Sequence, residues 1–251
     1  MKWIDQCNEW KSKWEDEGLK TNNNDSKYSI YEVMDIINTY TNKKHIIMTD
    51  AGSPSYVCPV NLKNKFEQRF IFNPSQADMG WALPASIGVS LANKDKIVVP
   101  IIGDGSFMSN IQELAVITNH GLPIKIILLN NGGYLSIKNT QNKFYNNRVH
   151  GVGEGNGLYF PDIEKLANSF DICYAKYSKY NNSTFGDTFN HIMNNNISYI
   201  IEFECREIEE IIPYQNFKLD ENGNRFQAGL DDMFPFLDEQ ELMEEKNVTK
   251  L

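Results

Sequence analysis

The sequence lacks an excess of positive charge, and this excludes one broad class of partner. Among its 251 residues, 24 Lys and Arg stand against 33 Asp and Glu, which gives a net charge of −9. Nucleic-acid-binding proteins usually need a basic face, so we expect no nucleic-acid partner. No uninterrupted apolar run reaches the roughly 20 residues of a membrane-spanning helix, and the amino-terminal residues have no signal-peptide core. We therefore expect no membrane partner and no secretion.

Cysteine is also scarce. The four cysteines are Cys7, Cys58, Cys173 and Cys205, and none belongs to a Cys-x-x-Cys pair. This scatter argues against a disulfide framework or an iron–sulfur cluster and favours free thiols in a reducing cytoplasm. No cluster of Cys and His accompanies a carboxylate, so a zinc site is disfavoured.

The sequence does contain two apolar strands that end in polar residues. The run VVPII leads into Gly103-Asp104-Gly105-Ser106, and the run IKIILLN ends at Asn130-Asn131. Because ligands bind at the carboxyl ends of strands in open α/β sheets, we expect the Asp104 carboxylate and the Asn131 carboxamide to share a site. Mg²⁺ binds such oxygens beside phosphates, and backbone amides after Gly105 can hold a phosphate. The alternative is an ordinary strand–helix–strand unit with turn glycines.

Strands alternate with helices along most of the chain, which predicts an α/β fold with a doubly wound, mostly parallel sheet flanked by helices. The predicted strands are the runs HIIMT, RFIFN, KIVVPII, IKIILLN, ICYAKY and YIIEFEC. Helices are predicted over 30–40 with Ser29 as the cap, over 79–93, after Phe160-Pro161-Asp162, and around 183–195. The segment from Asp50 to Pro54 is predicted to be a turn.

The pattern divides the chain into three segments. Residues 1–28 are predicted to be a lead-in helix and linker, residues 29–205 the α/β domain, and residues 206–251 an acidic arm. The arm interleaves its acidic residues with five large apolar ones: Phe226, Met233, Phe234, Phe236 and Leu237. Because a solvated tail has no need of such groups, we expect the arm to dock on another surface.

Taken together, these segments resemble the diphosphate-binding C-terminal domain of thiamine-diphosphate enzymes of the acetolactate synthase type. The likeness runs from about Ile30 to about Glu244. It includes, in order, TDAGSPS, ADMGWALPASIG, GDGSF with the later NN, PDIEKLANSF, IIEFECREIEEIIP and LDDMFPFLDEQEL. The resemblance implies thiamine diphosphate and Mg²⁺ as cofactors, a 2-oxo acid as substrate, and lyase or transferase chemistry. It also implies that the arm folds over the mouth of the active site.

The resemblance assigns roles to particular positions. Mg²⁺ would be bound by the side chains of Asp104 and Asn131 and by the carbonyl of Gly133. The implied cofactor-binding set is Ala51, Gly52, Ser53, Ala77, Met79, Gly103, Gly105, Ser106, Asn131, Gly133, Tyr134 and Leu135.

Within this set the implied contacts differ. The 51–53 turn, Gly105 and Ser106 would contact the diphosphate. Met79 would support the bent cofactor, although an ordinary core methionine is the alternative, and the Ala77 carbonyl would accept a hydrogen bond from the cofactor's amino group. Tyr134 and Leu135 match positions on the substrate side.

The chain also departs from the family pattern. Ser53-Pro54 stands where the family usually has Gln-His, and Pro54 removes one amide donor. Family members begin with a pyrimidine-binding domain that carries the activating glutamate, and neither Glu113 nor Glu154 is a candidate for that role. The resemblance therefore implies a subunit of a split enzyme, forming a hetero-oligomer with a separate pyrimidine-domain chain.

Two other functions stay open at this point. One is a non-catalytic binding or regulatory module, and the other is a subunit of a 2-oxo acid oxidoreductase. The Asp104 and Asn131 pair favours the enzyme, because a module without chemistry need not keep both. His120 is interpreted as a surface residue at a helix end, whereas His150 could face a substrate. The sequence does not distinguish decarboxylase from carboligase or identify the 2-oxo acid.

Overall fold

The computed structural model describes residues 3–14, 26–73, 75–179 and 185–248. Two compact units are present, Met1–Ile208 and Glu209–Leu251. The predicted three-part division of the chain stays a prediction. Most of its polar linker, and the first residues of the helix predicted around 183–195, lie outside the described residues.

The larger unit is built on a six-stranded sheet in which every paired strand is parallel. The strands are β1 (His45–Thr49), β2 (Arg69–Ile71), β3 (Ile97–Gly103), β4 (Lys125–Asn130), β5 (Cys173–Tyr177) and β6 (Tyr199–Glu204). Their order is β2-β1-β3-β4-β6-β5. The chain reverses its direction across the sheet between β1 and β3, and such reversal points are where open α/β sheets bind ligands.

Helices connect and cover these strands. They are α1 (Trp3–Trp14), α2 (Ile30–Tyr40), α3 (Ser53–Asn61), α4 (Ala82–Ala92), α5 (Asp104–Phe107), α6 (Leu114–His120), α7 (Leu135–Phe144), α8 (Ile163–Ser169) and α9 (Phe185–Asn194), with a 3-10 turn over Met108–Glu113. Ser29 caps α2 as predicted, and its side chain accepts from the Tyr31 amide. No helix among the described ranges is long and apolar enough to cross a membrane.

Both faces of the sheet are covered, which confirms the doubly wound fold. On one face Met48, Ile102 and Leu128 pack in a core with residues of α4, α6 and α8. On the other, Phe203 makes ring contacts with Tyr28 and with Phe189 of α9. The inner strands β3 and β4 are therefore buried on both sides, as their continuous apolar runs predict.

Three local predictions differ from the structure. The segment predicted as a turn from Asp50 to Pro54 is a shorter turn, because α3 already begins at Ser53. Proline is tolerated in the first turn of a helix, so Pro54 does not prevent α3. The helix predicted over 79–93 begins later, at Ala82. The strand predicted over 69–73 ends at Ile71, where its pairing with β1 stops.

His45 is the first residue of β1 and lies at the end of the sheet where the parallel strands begin. It is fully buried. Its Nδ1 accepts from the Asn42 amide at 3.1 Å, which leaves Nε2 to donate to the Met193 carbonyl at 3.0 Å. Burial lowers the pKa of His45, and the nearby cations Lys65 and Lys125 lower it further. The imidazole is therefore held neutral.

The smaller unit has regular elements of its own that the sequence pattern did not predict. An antiparallel hairpin joins β7 (Phe217–Leu219) to β8 (Arg225–Gln227), and α10 (Glu239–Val248) follows. Tyr214 and Phe234 exchange two backbone hydrogen bonds and pack with ring centroids 5.1 Å apart. Phe236 packs on Phe234, so part of the apolar content is used within the unit itself. The prediction that this arm covers an active site stays a prediction.

Candidate functional site

A pocket lies at the carboxyl edge of the sheet, beyond the ends of β1, β3 and β4. It encloses about 520 Å³, part of it open to solvent. Eleven of the twelve residues predicted to bind the cofactor line this pocket together with Asp104: Ala51, Gly52, Ser53, Met79, Gly103, Gly105, Ser106, Asn131, Gly133, Tyr134 and Leu135. The strand ends thus bring together positions that lie up to 84 residues apart in the sequence, between Ala51 and Leu135.

Asp104 is the acidic centre of the pocket, directly after β3. It is 3% exposed. Its Oδ1 accepts from the Gly105 amide at 2.6 Å, and its Oδ2 accepts from the amides of Gly133 at 2.9 Å and Asn131 at 3.2 Å. Burial raises the pKa of Asp104 to about 6, although these amide donors act in the opposite direction. A carboxylate held out of water in this way is suited to a cationic partner.

The side chain of Asn131 provides a test of whether a cation fits. One terminal atom of its amide lies 3.3 Å from Oδ2 of Asp104 and 3.1 Å from the carbonyl oxygen of Gly133. Without a cation, nitrogen fits this position because it donates to both oxygens. With a cation, oxygen fits it, since octahedral Mg²⁺ at about 2.0–2.1 Å keeps adjacent ligand oxygens about 3 Å apart. The residues present therefore fit Mg²⁺, through an oxygen set of carboxylate, carboxamide and carbonyl.

This oxygen set is distinct from the usual acidic or histidine clusters. In the described part of the chain, no group of three or more His, Cys, Asp and Glu side chains could hold a metal. Asp104 is the one acidic side chain among the described residues that line the pocket. A diphosphate would itself supply the further oxygens that Mg²⁺ prefers.

Two glycines allow close backbone approach at this site. Gly133 has a φ of 151°, and a Cβ there would meet the Val152 carbonyl oxygen at 1.9 Å. That carbonyl accepts from the Tyr134 amide at 2.8 Å, so the loop after α7 is paired directly to the 131–133 turn. A Cβ at Gly105 would instead meet the Tyr134 ring at 2.1 Å. Both positions therefore need glycine for space, and Gly133 needs it for conformation as well.

Asp50 supports the pocket without being one of its lining residues, and sequence reasoning missed this role. It is 2% exposed and follows β1 as Asp104 follows β3. Its Oδ1 accepts from the amides of Ala51 at 2.8 Å and Gly80 at 2.9 Å, and its Oδ2 accepts from the Ala82 amide at 2.7 Å. Asp50 thereby caps the amino terminus of α4 and fixes the loop that carries Met79 into the pocket. The signal that could have found it is the strand–Asp–x–Gly pattern, which resembles Gly103-Asp104-Gly105.

The remaining predicted positions lie in different surroundings. Met79 lines the pocket and is 43% exposed, so it is not a core methionine. Ala77 is exposed, has a φ of 53°, and is not among the lining residues. His120 and His150 are exposed and do not line the pocket. The role of each in binding a cofactor or substrate stays a prediction.

Comparison with known proteins identifies the family of this chain. Residues 50–203 match the family model described as the C-terminal TPP-binding domain of thiamine pyrophosphate enzymes. The chain is 31% identical over 182 residues to acetolactate synthase 3, chloroplastic, of Brassica napus. This match covers 71% of the present chain and 28% of that protein. The chain is 30% identical over 168 residues to the acetolactate synthase large subunit of Haemophilus influenzae. That match covers 67% of the present chain and 28% of the large subunit.

A solved structure has the same fold. The thiamine diphosphate-dependent 4-hydroxybenzoylformate decarboxylase of Rhodococcus jostii RHA1 superimposes with a TM-score of 0.63 at 20% sequence identity. The superposition covers 72% of this chain and 33% of that one. The matched region thus spans about a third or less of each of these three relatives.

Proposed function

This chain belongs to the family of C-terminal TPP-binding domains of thiamine pyrophosphate enzymes, and we propose that its pocket binds the diphosphate of thiamine diphosphate together with Mg²⁺. The protein of which it forms part would act on a 2-oxo acid, as a decarboxylase or carboligase of the acetolactate synthase type. The observation that carries this proposal is the facing of the Asn131 amide toward Oδ2 of Asp104 and the Gly133 carbonyl.

Different residues would hold the two parts of the cofactor–metal pair. Asp104, Asn131 and the Gly133 carbonyl would hold Mg²⁺, and the backbone around Gly105 and the 51–53 turn would face the diphosphate. When bound, thiamine diphosphate supplies the electron sink for breaking the bond between the carboxyl and carbonyl carbons of a 2-oxo acid. The apolar side chains that line the pocket would limit the access of water to that bond. The larger of these side chains are Ile30, Met79, Leu129, Leu135 and Ile137.

The proposal requires a second protein segment. Asp104 is the one acidic side chain among the described pocket-lining residues, and it would be occupied by the cation. The glutamate that activates the pyrimidine ring in this family would therefore come from outside these residues. We propose that a separate pyrimidine-domain chain supplies it, in a cytoplasmic hetero-oligomer.

Calorimetric titration with thiamine diphosphate tests the binding site. The unaltered chain should bind it only when Mg²⁺ is present, and Asp104→Ala and Asn131→Ala should each remove most of the binding. Asp95→Ala, at an exposed turn position, is the control and should bind as the unaltered chain does. Circular dichroism and urea unfolding identify the fraction of each variant that is folded. Unchanged affinity in folded Asp104→Ala, or in excess chelator, would contradict the site.

Turnover tests the need for the second segment. The chain alone should show almost no turnover of 2-oxo acids, and adding a pyrimidine-domain chain should restore it. Robust turnover by the chain alone would mean that these residues contain their own activating acid. Tight cofactor binding without turnover in any assembly would instead favour the non-catalytic module.

A further inference from the structure

A carboxylate is buried in the sheet beside the candidate metal site. Glu202 lies in β6, between Ile201 and Phe203, and is 3% exposed. Burying a charge is costly unless it is paired and hydrogen-bonded. The contacts that compensate this cost therefore indicate what the side chain does.

Both oxygens of Glu202 are engaged. Oε1 accepts from the side-chain Nδ2 of Asn130 at 2.8 Å, and Oε2 accepts from the Tyr174 hydroxyl at 2.7 Å. Lys176 lies 3.7 Å from Oε1 and bridges to Glu204 at 2.9 Å. Of these partners, Asn130 is the one that adjoins the pocket along the chain, because it ends β4 and directly precedes Asn131, which lines the pocket.

The contact with Glu202 decides the orientation of the Asn130 amide. An ionised carboxylate can only accept hydrogen bonds, so the NH₂ group of Asn130 must face it. The Asn130 Oδ1 is then left to accept from the Gly132 amide at 3.2 Å. That bond closes the turn in which Gly132 has a φ of 73°. The next residue, Gly133, provides one of the oxygens that face the Asn131 amide.

We propose that Glu202 is a positioning residue for the cation site, acting through Asn130 to hold the 131–133 turn in the conformation that the metal requires. The inference rests on the proposed function for the identity of the cation. Glu202 itself is not among the residues that line the pocket. Its effect passes through two hydrogen bonds, from Asn130 to Glu202 and from Gly132 to Asn130.

Three variants separate positioning from a purely structural role. Glu202→Leu removes the acceptor, whereas Glu202→Gln keeps the size but no longer dictates the orientation of the Asn130 amide, since a carboxamide both donates and accepts. Tyr174→Phe is the matched control, because it removes the hydrogen bond to Oε2 of Glu202 and leaves the one that Asn130 donates to Oε1. A structural role alone would make Tyr174→Phe resemble the Glu202 variants.

The first measurement needs no metal. Amide hydrogen exchange, read by NMR on the chain without added cation, should be faster at Gly132 in Glu202→Leu and in Glu202→Gln than in the unaltered chain. Tyr174→Phe should leave the exchange at Gly132 unchanged relative to amides in the core of β4. Because no cofactor is involved, this result stands even where the proposed function fails.

The second measurement is the affinity for Mn²⁺, by electron paramagnetic resonance, with thiamine diphosphate present. Loss of a side chain that orients metal ligands typically weakens affinity by about 10–100-fold. We expect a loss in that range for Glu202→Leu, a smaller loss for Glu202→Gln, and none for Tyr174→Phe. Affinities are compared at temperatures where each variant is folded, and if Glu202→Leu does not fold, the comparison of Glu202→Gln with Tyr174→Phe decides.

Two outcomes would overturn the inference. One is unaltered Gly132 exchange and Mn²⁺ affinity in the folded Glu202 variants. The other is an equal effect of Tyr174→Phe. A chain that binds no Mn²⁺ in its unaltered form would instead refute the proposed function, while the exchange data would still decide whether Glu202 holds the turn.

Discussion

Replacing Gly133 by alanine should disable the site through backbone geometry alone. The added Cβ would lie 1.9 Å from the Val152 carbonyl oxygen and 2.9 Å from the Gly153 Cα, whereas ordinary contacts begin at 3.4 Å. Both neighbours are backbone, so no side-chain rotation relieves the overlap. Either the 131–133 turn or the 152–153 segment must move, and the 2.8 Å bond from the Tyr134 amide to Val152 is then lost.

The cost can be estimated from its parts. Overpacking typically costs about 1–3 kcal/mol, a non-glycine residue at this φ of 151° about 1–3 kcal/mol, and a lost backbone hydrogen bond about 0.5–1.5 kcal/mol. Together these predict a loss of roughly 3–7 kcal/mol, a large part of the roughly 5–15 kcal/mol by which domains are stable. The carbonyl of Gly133 should also leave the position that faces Asn131, so cation-dependent cofactor binding should fall in the folded fraction.

Urea unfolding and calorimetric titration measure the two effects. Gly103→Ala is the matched control for the unfolding measurement alone, because Gly103 lines the same pocket, has a φ of −76°, and has no atom within 4 Å of an added Cβ. Its stability should change by no more than about 0.5 kcal/mol. Two results together would refute the reasoning. The free energy of unfolding of Gly133→Ala would lie within about 1 kcal/mol of that of the unaltered chain, and the variant would bind the cofactor equally well.

Three further predictions follow from the same contacts. Gly105→Ala should lower the thermal stability, because the added Cβ would lie 2.1 Å from the nearest atom of the Tyr134 ring. Since that ring belongs to a side chain, combining Gly105→Ala with Tyr134→Ala should recover much of the lost thermal stability. Asp50→Asn places an NH₂ group against the Ala82 amide and should cost about 1–3 kcal/mol in urea unfolding, with faster hydrogen exchange at Ala82; unchanged exchange would contradict it. The lowered pKa of His45 means that its stabilisation is complete above the unfolded value near 6.5 and is lost as the pH falls toward the folded value. The unaltered chain should therefore lose more unfolding free energy between about pH 7 and pH 5.5 than His45→Gln does, and equal losses would exclude His45 as the cause.

The fold and the centre of the site could be predicted because their signals are local. β3 and β4 are nearly continuous apolar runs, and each is followed directly by a polar residue that the strand direction delivers to the same edge of the sheet. Parallel pairing then brings Asp104 and Asn131 together without any knowledge of side-chain contacts. The prediction of the site needed only the positions of these polar residues relative to the strand ends, and the sequence spacing provides those positions.

The parts that escaped prediction depend on partners distant in the sequence. Asp50 was interpreted as a turn residue. Two of the amides that donate hydrogen bonds to its carboxylate belong to Gly80 and Ala82, which lie 30 and 32 residues further along the chain. The helix α3 escaped because Pro54 is typical of turns, although the first turn of a helix tolerates proline. In both cases a local pattern had two physical solutions, and packing against α4 and α2 selected one.

Glu202 shows where such information could still be extracted from sequence. The run YIIEFE places a carboxylate in a strand where the residues directly before and after it, Ile201 and Phe203, are apolar. A charge in that position must have partners, since burial without them costs several kcal/mol. What the sequence does not contain is the register, which sets Leu128 beside Glu202 and Asn130 beside Glu204. Only with that register does the buried carboxylate reach the Asn130 side chain, and only then does an isolated glutamate in a strand become a candidate support for the metal-binding turn.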